Sequence, residues 1–156
     1  MSVSSLSTQQ RQAIESYLAL SRELFLELER RLQAASGLST ADWELIVHLL
    51  DAGEAGQRPT ELAANAGWPT SRVAHQLRRM ERRALVERCA HPEDGRGRIV
   101  RLTAEGRRRG LAAAPVVDGS LRELVVGALA GDQLIAWGAA CQRVLDRVRR
   151  TAPETS

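Results

Sequence analysis

Lysine is absent from this sequence, so every one of its 22 positive charges is an arginine. That absence removes Schiff-base chemistry and the lysine of a Walker A loop from consideration. A coding bias toward arginine accounts for it without any functional reason. Aromatic residues are nearly as scarce, with only Trp43, Trp68, Trp137, Tyr17 and Phe25, so Leu, Val, Ile and Ala must build the core, a mixture that favours helices. The two cysteines, Cys89 and Cys141, share no CxxC or metal-ligand spacing, which argues against a disulfide framework and leaves two free thiols. With three histidines, Cys89 and His91 lack the partners for a metal site, and no metal is expected. No apolar run approaches the 18 residues of a membrane span, and Met1 to Gln12 lacks the basic start and apolar stretch of a secretory signal. The expectation is a soluble, cytoplasmic protein without a membrane partner. GxSxG and HExxH are also missing, so the chain reads as a non-enzyme with no cofactor.

What is present is an apolar content of 44% in 156 residues, enough for one core. The net charge of +3 conceals an asymmetry, because residues 70–110 hold twelve arginines against five acidic residues, a local charge of +7. A basic middle between acidic flanks is the electrostatic footprint of a phosphate-binding face, although a charged helix is often only a solvated surface.

Hydrophobic spacing predicts a long amphipathic helix over 8–35, ended by Gly37, and a second helix capped by Ser39 or Thr40 that closes near Gly53. A loop over 53–58 leads to a short helix, Pro59 to Ala66, and Gly67-Trp68-Pro69 turns into another over 70–83. In that last helix Val73, Leu77 and Met80 face inward, while Ser71, His75, Arg78, Arg79 and Arg82 project from the other side. The pattern is that of a helix-turn-helix. Residues 85–89 and 99–102 read as two strands flanking a basic tip, His91 to Arg98. Thr103 caps a long helix running toward Leu129, with a bend expected at Pro115 and a loosening at Gly119, and a final helix spans Asp132 to Arg150. The tail after Arg150 reads as frayed.

A helix in the major groove needs donors for guanine and grips for phosphate near its N-terminus. Thr70 and Ser71 sit where first-turn N–H groups face a phosphate, and Arg72, His75 and Arg79 are the base-reading candidates, with Arg78 beside them. In the hairpin tip Asp94 lies two residues before Arg96, close enough to aim its guanidinium into a narrow minor groove; Arg98 adds charge. A solvent-paired loop is the plainer reading of the same two residues.

Ser71-Arg72-Val73, Leu77, Met80-Glu81, Leu85-Val86-Glu87-Arg88, Pro92-Glu93-Asp94-Gly95-Arg96 and Val100-Arg101-Leu102-Thr103-Ala104-Glu105-Gly106 together resemble the MarR family of bacterial regulators. The resemblance covers residues 10–150, and its most specific stretch runs from Asp94 to Gly106. It implies a mainly α fold with a small β-hairpin wing: a winged helix-turn-helix lobe over 38–103 joined to a helical dimerisation domain formed by 8–35 and 104–150. It further implies a homodimer on a palindromic operator in double-stranded DNA, with half-sites about 34 Å apart, Arg96 as the minor-groove arginine and Asp94 as its orienting acid. Similar proteins bind a small aromatic ligand near the first, second and fifth helices, which points to Arg22, Trp43 and His48; Trp43 and His48 read more simply as core or interface residues. Redox-sensing relatives carry a cysteine in the first helix, where this chain has none, although Cys89 borders the wing.

Four departures from the family pattern stand out, one of them Pro115 inside the fifth helix, whose expected kink would alter the spacing between the two DNA-binding lobes. Ala84 replaces the usual glycine after the recognition helix, so a different helix exit is expected. Gln76 occupies a usually apolar position, and Arg98 and Arg101 make the wing more basic. The function expected is a sequence-specific transcriptional regulator, in most such cases a repressor, released by an effector. The alternatives are an architectural DNA-binding protein and a protein-interaction module without an effector.

Overall fold

A computed structural model describes residues 5–90 and 97–151 of the chain. Ser7 opens helix α1 (Thr8–Ser36) with a reciprocal cap: its hydroxyl accepts from the Gln10 N–H at 3.2 Å, and the Gln10 side chain accepts from the Ser7 N–H at 2.9 Å. Two otherwise unsatisfied donors are thereby paired. Helix α2 (Thr40–Ala52) begins the same way with Ser39 and Asp42. Of the two cap candidates, Ser39 is the one used. Thr40 turns instead to α1, its N–H and hydroxyl both donating to Glu29 Oε2 at 2.6 and 2.7 Å.

The segment after α2 is more ordered than a plain loop. It forms a 3-10 turn, Gly53–Ala55, and then Gln57 exchanges two backbone hydrogen bonds with Val100, at 3.0 and 2.8 Å. Helix α3 (Pro59–Ala66) starts on proline, whose missing N–H costs nothing in a first turn. Gly67, at φ +64°, makes the left-handed turn into α4 (Thr70–Arg82). Strands β1 (Val86–Ala90) and β2 (Arg98–Leu102) pair antiparallel, with Val86 opposite Leu102 and Ala90 opposite Arg98. The fold is therefore mainly helical, with a two-stranded wing following a helix-turn-helix.

Helix α5 (Ala104–Leu124) is continuous through Pro115 and Gly119, and it stops earlier than the sequence suggests, with a separate 3-10 turn at Val126–Ala128. Pro115 and Leu111 both lie on an exposed face, where the carbonyl that loses its N–H partner is open to water. Helix α6 (Gly131–Thr151) ends the described chain. No single helix among the described residues is long and apolar enough to cross a membrane.

Two compact units result, 1–117 and 118–156. The first holds the core: Leu32, Leu38, Leu45, Ile46, Leu49, Leu62, Val73, Leu77, Met80, Leu85 and Val100 are essentially inaccessible. Each such side chain contributes roughly 1.5–3 kcal/mol by leaving water. Gly106 shows how tightly α5 enters this unit, since a Cβ there would lie 1.8 Å from the Leu85 carbonyl oxygen. Beside it the Thr103 hydroxyl accepts from the Gly106 N–H at 3.0 Å and donates to the Ala84 carbonyl at 2.6 Å. In the second unit, α6 has no buried residue.

Candidate nucleic-acid interface

Helix α4 has two contrasting faces. Val73, Gln76, Leu77 and Met80 are buried, whereas Thr70, Ser71, Arg72, His75, Arg78, Arg79 and Arg82 are exposed. The structure thus places all six of the α4 candidates, Thr70 to Arg79, on one open surface. Pro69 occupies the N-cap without any side-chain cap, so the first-turn N–H groups remain free of intrahelical partners, as a phosphate would require. Arg78, Arg79 and Arg82 make no hydrogen bond or ion pair among the described residues.

Arg72 differs from them. Its Cζ lies over the Trp68 ring, 3.5 Å from the centroid. Trp68 is itself buried, and its Nε1–H donates to Glu44 Oε2 of α2 at 2.8 Å. Glu44 and Trp68 escape a reading of the sequence because they are 24 positions apart and neither lies on the basic face.

The Gln76 departure also acquires a reason. Gln76 Nε2 donates to Asp42 Oδ1 at 2.7 Å, and Arg83 Nη1 donates to Asp42 Oδ2 at 2.6 Å, while Arg83 Nη2 donates to the Gly37 carbonyl at 2.6 Å. Asp42 is completely buried and also caps α2. A buried carboxylate is tolerated only with such partners. This group of side chains ties the end of α4 to the α1–α2 junction. Arg83 is therefore structural, a role that its place in a basic run does not reveal.

The altered exit at Ala84 does not occur. Ala84 itself adopts φ +54°, the left-handed conformation usual for glycine, and the Leu85 N–H returns to the Met80 carbonyl at 2.9 Å. The turn is retained at the steric cost of a Cβ, about 1 kcal/mol.

Several arginines of the basic segment are likewise occupied. Arg88 pairs with Glu81 at 3.0 Å, Arg107 with Glu54 at 3.2 Å, and Arg108 and Arg109 both with Glu105 at 2.8 and 2.6 Å. Hydrogen bonds from Arg108 and Arg109 hold the Glu105 carboxyl down at about 2, and those from Arg30 and Arg31 do the same for Glu27. Glu81 and Glu105 are already counted in the local +7, but Glu54 and Asp42 lie outside residues 70–110, so their pairing with Arg107 and Arg83 lowers the charge available to a polyanion further. What stays open is concentrated on α4 and at Arg98, exposed at the start of β2. Arg101 is half-buried with its Nε unpartnered. The wing tip, residues 91–96 with Asp94 and Arg96, lies outside the described residues.

Of the three candidate effector residues, Arg22 is exposed on α1 and bonds Glu23 at 3.3 Å, while Trp43 and His48 are half-buried on α2, five positions apart. Trp43 packs half-buried against the core. Among the described residues no group of three or more His, Cys, Asp or Glu is placed to hold a metal, and both cysteines are free.

Comparison with known proteins converges on one family. The family model described as "MarR family" matches residues 36–97. The transcriptional regulator HosA of Escherichia coli O111:H- is 46% identical over 61 residues, 39% of this chain and 44% of HosA. The chain spans about half the length of the curated relatives it matches. Among solved structures, AbsC, a MarR family transcriptional regulator from Streptomyces coelicolor, superimposes with a TM-score of 0.84 at 29% identity, covering 96% of this chain and all of AbsC. Sco3205, a MarR family regulator from the same organism in complex with DNA, gives 0.83 at 28% identity, covering 96% of this chain and 95% of Sco3205.

Proposed function

This chain belongs to the MarR family, and on that premise we propose that it is a sequence-specific DNA-binding transcriptional regulator, acting as a repressor in homodimeric form. The observation that carries the reading is the two-faced α4: buried by Val73, Leu77 and Met80 on one side and lined by exposed cations on the other. In this reading Thr70 and Ser71 grip phosphate, Arg72, His75 and Arg79 read bases in the major groove, and Arg78 and Arg98 add contacts beside them. Arg96, oriented by Asp94, enters the minor groove. Segments 8–35 and 104–150 pair two copies on a palindromic site, and the residues between, 38–103, form the reading lobe. A small aromatic effector near Arg22, Trp43 and His48 weakens the complex, with effector and DNA affinities reciprocally coupled.

The test is a titration against DNA flanking the protein's own gene, beside an unrelated duplex of equal length, at about 0.15 M salt, where exposed charge contacts are substantially screened. Selective binding with a dissociation constant of about 10 nM or tighter is expected. Weak and equal binding to both duplexes overturns the regulator reading in favour of an architectural role.

A further inference from the structure

We propose that Trp68, held by Glu44, is a positioning residue that presents Arg72 as a preformed fork for one guanine in each DNA half-site. The inference rests on the DNA-reading role proposed above. Arg72 is exposed in the first turn of α4, the part of a recognition helix that reaches base edges. Its Cζ lies 3.5 Å above the centre of the Trp68 ring, which is the thickness of two stacked π layers. At that spacing the planar guanidinium must lie flat on the indole, since tilting it would drive a nitrogen into the ring. The N–H donors of a guanidinium lie in its plane, so they are directed along the ring face rather than into it. Stacking holds the cation without using any of its donors.

The platform is itself fixed. Trp68 is buried to 9% exposure, and its Nε1–H donates at 2.8 Å to Glu44 Oε2, which sets the rotation of the ring. Arg72 therefore differs from its neighbours Arg78 and Arg79, which have no such support. An unsupported arginine loses rotamer freedom when it binds, whereas one already held flat loses less. A planar fork with two parallel donors matches the N7 and O6 acceptors of guanine in the major groove.

The test uses a half-site selected from a random duplex pool by the intact protein, with each guanine replaced in turn by 7-deazaguanine, which lacks the N7 acceptor. At one position the parent protein is expected to lose about ten-fold in affinity, the size of a lost bidentate contact. In Arg72→Ala the modified and unmodified duplexes should bind equally at that position alone. In Trp68→Leu the penalty should shrink to about three-fold or less, the loss of a stacking contact. Trp68→Phe, which keeps a ring face, should restore most of it. Because Trp68 helps to fill the core, Arg72→Met serves as a second variant that leaves the platform intact: its unbranched stem can still lie on the ring but has no donor, so it should abolish the 7-deazaguanine penalty with no change in melting temperature. If the parent protein selects no sequence, the regulator reading fails and this inference with it. If the parent selects a site but Trp68→Leu keeps the full penalty, only the positioning role is overturned. An Arg72→Ala variant that weakens all duplexes equally and lowers the salt slope by about one assigns Arg72 to a phosphate and also overturns the proposal.

Discussion

The lobe from α2 to β2 and the C-terminal helix α6 are built from similar residues and end in opposite conditions. In the lobe, Leu45, Leu49, Leu62, Val73, Leu77 and Val100, from α2 to β2, are closed into a core with exposures near zero, and even a carboxylate, Asp42, is fully enclosed with its hydrogen bonds satisfied. On α6, Val144, Leu145 and Val148, which share one face, are 59%, 46% and 58% exposed. The spacing is helical and amphipathic in both. The difference teaches that an apolar stripe states only that a face is to be covered; a lobe that supplies its own cover is complete within one chain, whereas the α6 stripe is left for another surface. The proposed homodimer provides such a surface.

The largest effect expected from perturbing this contrast is that of Gly106→Ala, which places a methyl against the Leu85 carbonyl. The lobe should lose about 3 kcal/mol or more, read by chemical denaturation; a loss below 1 kcal/mol means that α5 enters the lobe more loosely than described. Next is Asp42→Ala, which strands Gln76 and Arg83 and removes the acceptor of the Ser39 N–H in the α2 capping box. Arg83 is 36% exposed and regains water, so about 2–3 kcal/mol is expected. Retained stability with unchanged DNA selectivity would show that the Asp42 bonds are dispensable for placing α4.

Val148→Asp tests the other side of the comparison. As a surface change it should alter the stability of the lobe by no more than about 0.5 kcal/mol, yet it should shift sedimentation toward monomer; an intact dimer removes α6 from the interface. Ala84→Gly relieves the positive φ of the helix exit and should raise lobe stability by about 0.5 kcal/mol, the steric relief less the added freedom of the unfolded chain. The smallest effect is with pH. Glu27 and Glu105 are held at about 2 against an ordinary 4.5 by their paired arginines. Depressed values mean that their contribution is present above pH 4.5 and is lost as the pH falls toward 2. Melting curves of Glu105→Gln should accordingly approach those of the parent between pH 4.5 and 2.5, and a constant gap contradicts the pairing.

Much of the fold was legible because its signals are local. Serine caps, Gly67, Pro59 and the switch from helical to alternating periodicity bound elements within a few residues of where they lie. The α4 surface was legible for the same reason, since seven residues of one helix determine their own faces. Gln76 was visible as a departure, but its partner was not. The length of α5 was overestimated because a stop at Leu124 has no glycine or proline to announce it.

The sequence by itself determined the order of the elements, the two faces of the recognition helix and the location of the basic segment, because caps, turns and side-chain periodicity act over a few residues. Only the tertiary structure decided which arginines remain open. Arg83 meets Asp42 across 41 positions and Arg107 meets Glu54 across 53, and Arg72 is supported through Trp68 by Glu44, itself 24 positions from the indole. Pairing is governed by distance in space, and those distances exist only once the helices have packed.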